Sequence, residues 1–117
     1  ADMCTQNELI KILEVFAWSV KKEIGSKLSD VILFGSYARG DYDEESDVDV
    51  AVIVDVPQGE EHIYYKQLIK IIGDIDEQFN YTVLLAPVVI SNKMYETWKD
   101  DLPFYKNIQK EGVRIVA

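Results

Sequence analysis

Apolar residues recur three and four positions apart through Leu9, Ile12, Leu13, Phe16 and Val20, the spacing of a single buried helical stripe. Thr5-Gln6-Asn7-Glu8 ahead of them reads as a capping box, so a helix is predicted over about 5 to 26. Val31-Ile32-Leu33-Phe34 breaks that period and predicts a short, fully apolar strand. Gly35 to Gly40 reads as a turn with room for one helical turn, and Asp41 to Ser46 as an acidic loop. Asp47 to Val54, rich in valine, predicts a second strand ended by Asp55, Pro57 and Gly59.

Helical spacing returns at Ile63, Leu68, Ile71, Ile72, Ile75 and Phe79, giving a second long helix from Glu60 to Phe79 with Gly73 as its weak point. Tyr81 to Ile90 predicts a third strand, in which Pro87 implies a bulge or an edge position. Ser91 caps a short helix reaching about Lys99, Pro103 opens another, Gly112 closes it, and Val113 to Val116 adds a last edge strand. The order α-β-β-α-β-α-α-β predicts an α+β fold, a small mixed β-sheet flanked by α-helices.

Composition narrows the classes of function. A chain of 117 residues, 48% hydrophobic and 28% charged, fits one compact domain, expected over residues 3–117 with Ala1 and Asp2 as additions ahead of Met3. No apolar run approaches the ~20 residues of a membrane-spanning helix and no signal pattern opens the chain, so a soluble, cytoplasmic protein is expected. Lys and Arg total 12 against 21 for Asp and Glu, a net charge of −9. That surface repels phosphate backbones, so no autonomous nucleic-acid binding is expected; a basic protein partner or a metal-bridged nucleotide fits better. The single cysteine, Cys4, cannot form an internal disulfide, and His62 stands without a second His or Cys to build a zinc site.

Candidate chemistry lies between Phe34 and Asp49. Gly35 lets the backbone turn sharply after a strand and bring amide groups close to a phosphate, and Ser36 adds a hydroxyl donor. Asp47 and Asp49, two apart on a strand, put both carboxylates on one face about 6.5 to 7 Å apart along the chain, with Val48, Val50, Val52 and Val54 on the other. Two like charges side by side destabilise a sheet unless they are fully exposed or share a cation, and hard oxygen ligands of this kind suit Mg²⁺. Gly-Ser, ten residues, then Asp-x-Asp arises by chance in roughly one chain per thousand of this length. Arg39 either approaches a phosphate from the turn or pairs with Asp41 or Asp43. The remaining acids of the loop read as solvated charge.

Val31 to Val54 resembles the signature of the nucleotidyltransferase superfamily that includes DNA polymerase beta. Gly35-Ser36-Tyr37-Ala38-Arg39-Gly40 is similar to the form found in its minimal, single-domain members, and the stretch Pro103 to Gly112 looks like the close of those short chains. The resemblance implies a nucleotidyltransferase fold with a mixed sheet, Ser36 contacting the triphosphate, and Asp47 and Asp49 as catalytic residues holding Mg²⁺; Gly35 and Arg39 join Ser36 as candidate nucleotide-binding residues from the turn. It also implies ATP as the nucleoside triphosphate and an antitoxin role beside a HEPN-domain protein, in some cases by transfer of AMP onto that partner.

One departure from the superfamily pattern separates two readings. Active members usually carry a third carboxylate on the next strand, where this chain has Asn80-Tyr81-Thr82-Val83-Leu84-Leu85-Ala86. Asp74, Asp76 and Glu77 belong to the preceding helix. The first reading is an Mg²⁺-dependent enzyme that moves AMP from ATP to a hydroxyl of a macromolecular acceptor. The second is an acidic binding module that neutralises a basic partner by contact and keeps the fold as a scaffold. The intact turn and acid pair favour the first; the missing acid and the charge of −9 favour the second.

Overall fold

A computed structural model describes residues 6–80 and 82–115. Helix α1 (Gln6–Ile24) passes through one turn of 3-10 helix (Gly25–Lys27) into strand β1 (Leu28–Phe34). A single helical turn, α2 (Ser36–Arg39), and the acidic loop lead to β2 (Val48–Val54). Then come α3 (His62–Gln78), β3 (Leu85–Ser91), α4 (Asn92–Trp98), α5 (Pro103–Glu111) and β4 (Val113–Arg114). The strands form one mixed sheet in the order β3-β2-β1-β4. β1 runs antiparallel to both β2 and β4, whereas β2 and β3 are parallel. A parallel pair needs a crossover connection, which α3 supplies. The α+β architecture follows the order of elements expected from the sequence.

β2 lies between β1 and β3 and is covered on both faces, which explains its near-continuous apolar run. Val48, Val50, Val52 and Val54 are fully buried against α1 and α3, together with Leu9, Ile12, Phe16, Val20, Leu68 and Ile75. Ala51 and Ile53 occupy the other face with Ile32 and Ile90, under Tyr95 of α4 and Ile108 of α5. Local signals fix the small helices: Ser91 Oγ accepts a bond from the Met94 amide at 3.2 Å, and Pro103 sits in the first turn of α5. Gly112 lets the end of α5 close onto β1, because a Cβ there would overlap the Ile108 carbonyl and the Ile32 side chain.

Several boundaries differ from those expected. β1 begins at Leu28 rather than Val31, since Leu28 and Asp30 already pair with Val54 and Ile53. The polar Ser29 and Asp30 hid that extension from a reading based on apolar runs. β3 begins at Leu85: Asn80 turns the chain through a left-handed φ of 56° after α3, and Thr82 to Leu84 are not strand. Pro87 occupies an edge strand, as its missing N–H requires. Ile63 was expected on the buried stripe of α3 but is 52% exposed, because that stripe is carried by Leu68, Ile72 and Ile75. The Thr5 cap, Cys4, Tyr81 and Val116 lie outside the described residues.

Truncating the fully buried ring in Phe16→Ala is expected to cost about 3 to 5 kcal/mol. A urea melt that keeps its slope while its midpoint falls is the check.

Candidate active site

The end of β1 and the start of β2 meet in antiparallel register, with Phe34 opposite Asp49. Gly35 follows at once, with φ 76° and ψ −157°, a conformation open essentially to glycine alone. There is a second demand for glycine here, since a Cβ on Gly35 would overlap the Asp49 carboxylate. The bare backbone of the turn therefore packs directly on one of the two acids. Ser36 opens α2, whose first bonds run from the amides of Ala38 and Arg39 to the Gly35 carbonyl at 3.1 and 3.0 Å. Gly40, with φ 90°, ends the turn by donating to the Ser36 carbonyl at 2.8 Å.

The acidic loop is braced from within. Asp43 Oδ1 accepts bonds from the Glu45 amide at 2.9 Å and from Ser46 Oγ at 3.2 Å, and Ser46 Oγ accepts one from the Asp43 amide at 3.0 Å. Across the loop, Tyr42 stacks on Tyr37 of α2 with centroids 4.1 Å apart and ring planes 7° from parallel. Asp43 is thus committed to the loop, while Asp41, Glu44 and Glu45 face solvent.

Asp47 is exposed just ahead of β2, and Asp49 is half-buried on the strand. Burial raises the Asp49 carboxyl above its ordinary range, the Asp47 charge raises it further, and Arg39 partly offsets both. Asp47 and Arg39 therefore each lie within electrostatic reach of the Asp49 carboxylate. Arg39 Nε donates to Asp41 at 3.2 Å and Nη1 to Glu111 at 3.2 Å, and both bonds, that to Glu111 first, hold the guanidinium in its charged form. Of the pairings considered from the sequence, Asp41 is observed and Asp43 is not. Glu111, at the end of α5, was not anticipated; no local pattern links positions so far apart in the chain.

No acid joins the pair from the neighbouring strand, where Ala86 stands opposite Asp49. Asp74, Asp76 and Glu77 lie on α3, which packs on the opposite face of the sheet. Among the described residues, no three His, Cys, Asp or Glu side chains converge as a metal-holding group.

A family model described as the nucleotidyltransferase domain matches residues 10–115. The chain belongs to this family. It is 37% identical over 99 residues to MJ0141 of Methanocaldococcus jannaschii, a protein provisionally named a protein adenylyltransferase, covering 84% of this chain and 95% of that one. It is 30% identical over 102 residues to MJ0604 of the same organism, which carries the same provisional name, covering 87% of this chain and 92% of the relative. A solved Sulfolobus solfataricus structure, provisionally described as a nucleotidyltransferase, superposes with a TM-score of 0.56 at 20% identity. That match covers 93% of this chain and 80% of the other, and it shows the shared fold. The chemistry of the family is nucleotidyl transfer, and its members generally use divalent metal ions.

The acid pair fits such an ion. Asp47 and Asp49 are hard oxygen donors whose mutual repulsion a cation would relieve, and Mg²⁺ ordinarily takes only one or two carboxylates, with waters and substrate phosphates completing its shell. No helix among the described residues is long and apolar enough to cross a membrane.

Gly35→Ala is expected to destabilise the protein by about 1 to 3 kcal/mol through backbone strain and to displace Asp49. Denaturant melts measure the first effect and a crystal structure of the variant the second. Asp49 should act in the opposite sense. Its folded-state pKa lies above the unfolded one, so the folded form binds the proton more readily and stability is lost as pH rises through the carboxylate range. In metal-free buffer Asp49→Asn should therefore melt slightly higher than wild type at neutral pH, and the gap should close below the carboxylate range.

Proposed function

We propose that the chain is an Mg²⁺-dependent nucleotidyltransferase that moves AMP from ATP onto a hydroxyl of a macromolecular acceptor. The acceptor oxygen forms a bond to the α-phosphorus, the bond from that phosphorus to the bridging oxygen breaks, pyrophosphate leaves, and the hydroxyl proton passes to solvent. The contact of the Gly35 backbone with the Asp49 carboxylate carries this reading, because it sets a phosphate-holding turn against a cation-holding acid. Gly35 and Ser36 would hold the phosphates, and Arg39, within reach of Asp49, would add positive charge there. Asp47 and Asp49 would hold Mg²⁺, which when bound offsets the negative charge that develops on the transferring phosphoryl group.

The names of both Methanocaldococcus jannaschii relatives support a protein hydroxyl as acceptor. The family resemblance favours a partner of HEPN type in a toxin–antitoxin pair. The net charge of −9 suits contact with a basic surface.

Ala86 opposite Asp49 favours a second reading, in which the chain neutralises its partner by contact alone. Without a carboxylate at that position, no side chain of β3 stands ready to take the proton of the attacking hydroxyl. Incubation with labelled ATP, Mg²⁺ and the protein encoded beside this one decides between the two. Transfer of label that drops about 10²-fold or more in an Asp47→Ala, Asp49→Ala double variant is expected for the enzyme. Neutralisation of the partner that persists in the double variant, with no label transferred by the wild type, would establish the binding module instead.

A further inference from the structure

Phe104, in the first turn of α5, is 47% exposed and belongs to neither cluster of the core. Its ring is nevertheless held from two sides. It meets Phe34 nearly perpendicular at 5.8 Å between centroids and Tyr105 at 5.4 Å. Both of those rings are partly buried and pack against the core cluster under α4 and α5, so Phe104 is propped by half-buried neighbours while itself remaining in the open. Edge-to-face contacts fix ring orientation, which an aromatic residue serving only as surface filler does not need.

Its position gives this orientation a use. Phe34 stands opposite Asp49 in the β1–β2 register, on the same face of the sheet, and is the residue immediately before the Gly35 turn. Phe104 is therefore one ring removed from the carboxylate against which the turn packs. The other aromatic pair near the site, Tyr37 and Tyr42, is already stacked on itself. Phe34 thus neighbours Asp49 and the glycine turn through the strand pair, and a propped, half-open aromatic ring through its side chain. A nucleotide has the same division between an anionic tail and a flat π-surface.

We infer that Phe104 is the stacking platform for the base of the nucleoside triphosphate, an affinity-determining contact that lies outside the Gly35-to-Asp49 stretch. The inference rests on the nucleotidyl-transfer reading of the acid pair and turn. Stacking on an aromatic ring discriminates weakly among bases but strongly between a base and no base, and purines present the larger surface.

Calorimetric titration with Mg·ATP and with Mg·tripolyphosphate, which shares the anionic part but has no base, tests it. Wild type should bind ATP about tenfold more tightly than tripolyphosphate. Phe104→Leu and Phe104→Ala should bring ATP down to the tripolyphosphate level and leave tripolyphosphate binding unchanged, while Phe104→Trp keeps the preference. Retention of the ATP preference in the leucine and alanine variants would overturn the platform, as would a parallel loss of tripolyphosphate binding, which assigns Phe104 to the support of the fold. Equal binding of the two ligands by wild type removes the platform and leaves the acid-and-turn site standing. Binding of neither removes that site as well.

Discussion

The site depends on a carboxylate lying against a stretch of backbone that has no side chain. Gly35 leaves β1 in a conformation other residues rarely adopt, and the space its Cβ would take is filled by Asp49 from β2. Antiparallel pairing of the two strands makes this possible by placing Phe34 opposite Asp49, so that the next residue of β1 turns over the acid. A slip of one residue would send Asp49 to the face that holds the valines. The four buried valines of that face oppose such a slip, and the hydrophobic core in this way sets the geometry of the polar site.

β2 divides its labour between its faces and along its length. One face is apolar throughout, from Val48 to Val54. The other begins with Asp49 and continues with Ala51 and Ile53, with Asp47 just ahead of the strand, and α4 and α5 cover the apolar part. The acids remain at the uncovered end, Asp47 exposed and Asp49 half-buried. The arrangement has an electrostatic cost, visible in the raised pKa of Asp49 beside Asp47.

The surrounding elements restrict motion around this point. The Asp43–Ser46 bonds and the Tyr37–Tyr42 stack shorten the path from α2 to β2, and Arg39 ties the glycine turn to the end of α5 through Glu111. Both Arg39 bonds are exposed and individually weak. β3 adds no acid to the pair, because Ala86 occupies the place beside Asp49.

The sequence determined the α+β class, the order of the elements, both long helices and the stretch from Gly35 to Asp49, because each is written in local periodicity or in the residue types a tight turn and a strand demand. It also determined that Asp49 would stand on the face of β2 away from the valines, since side chains alternate along a strand; Asp47, expected on that strand, lies just ahead of it. Only the tertiary structure decided the strand order, the start of β1 across polar residues, the exposure of Ile63 and the late start of β3. It alone brought Glu111 to Arg39 and Phe104 to Phe34. Those pairings join positions distant in the chain through packing of α5 on the sheet, and packing of that range leaves no periodic trace in the residues themselves.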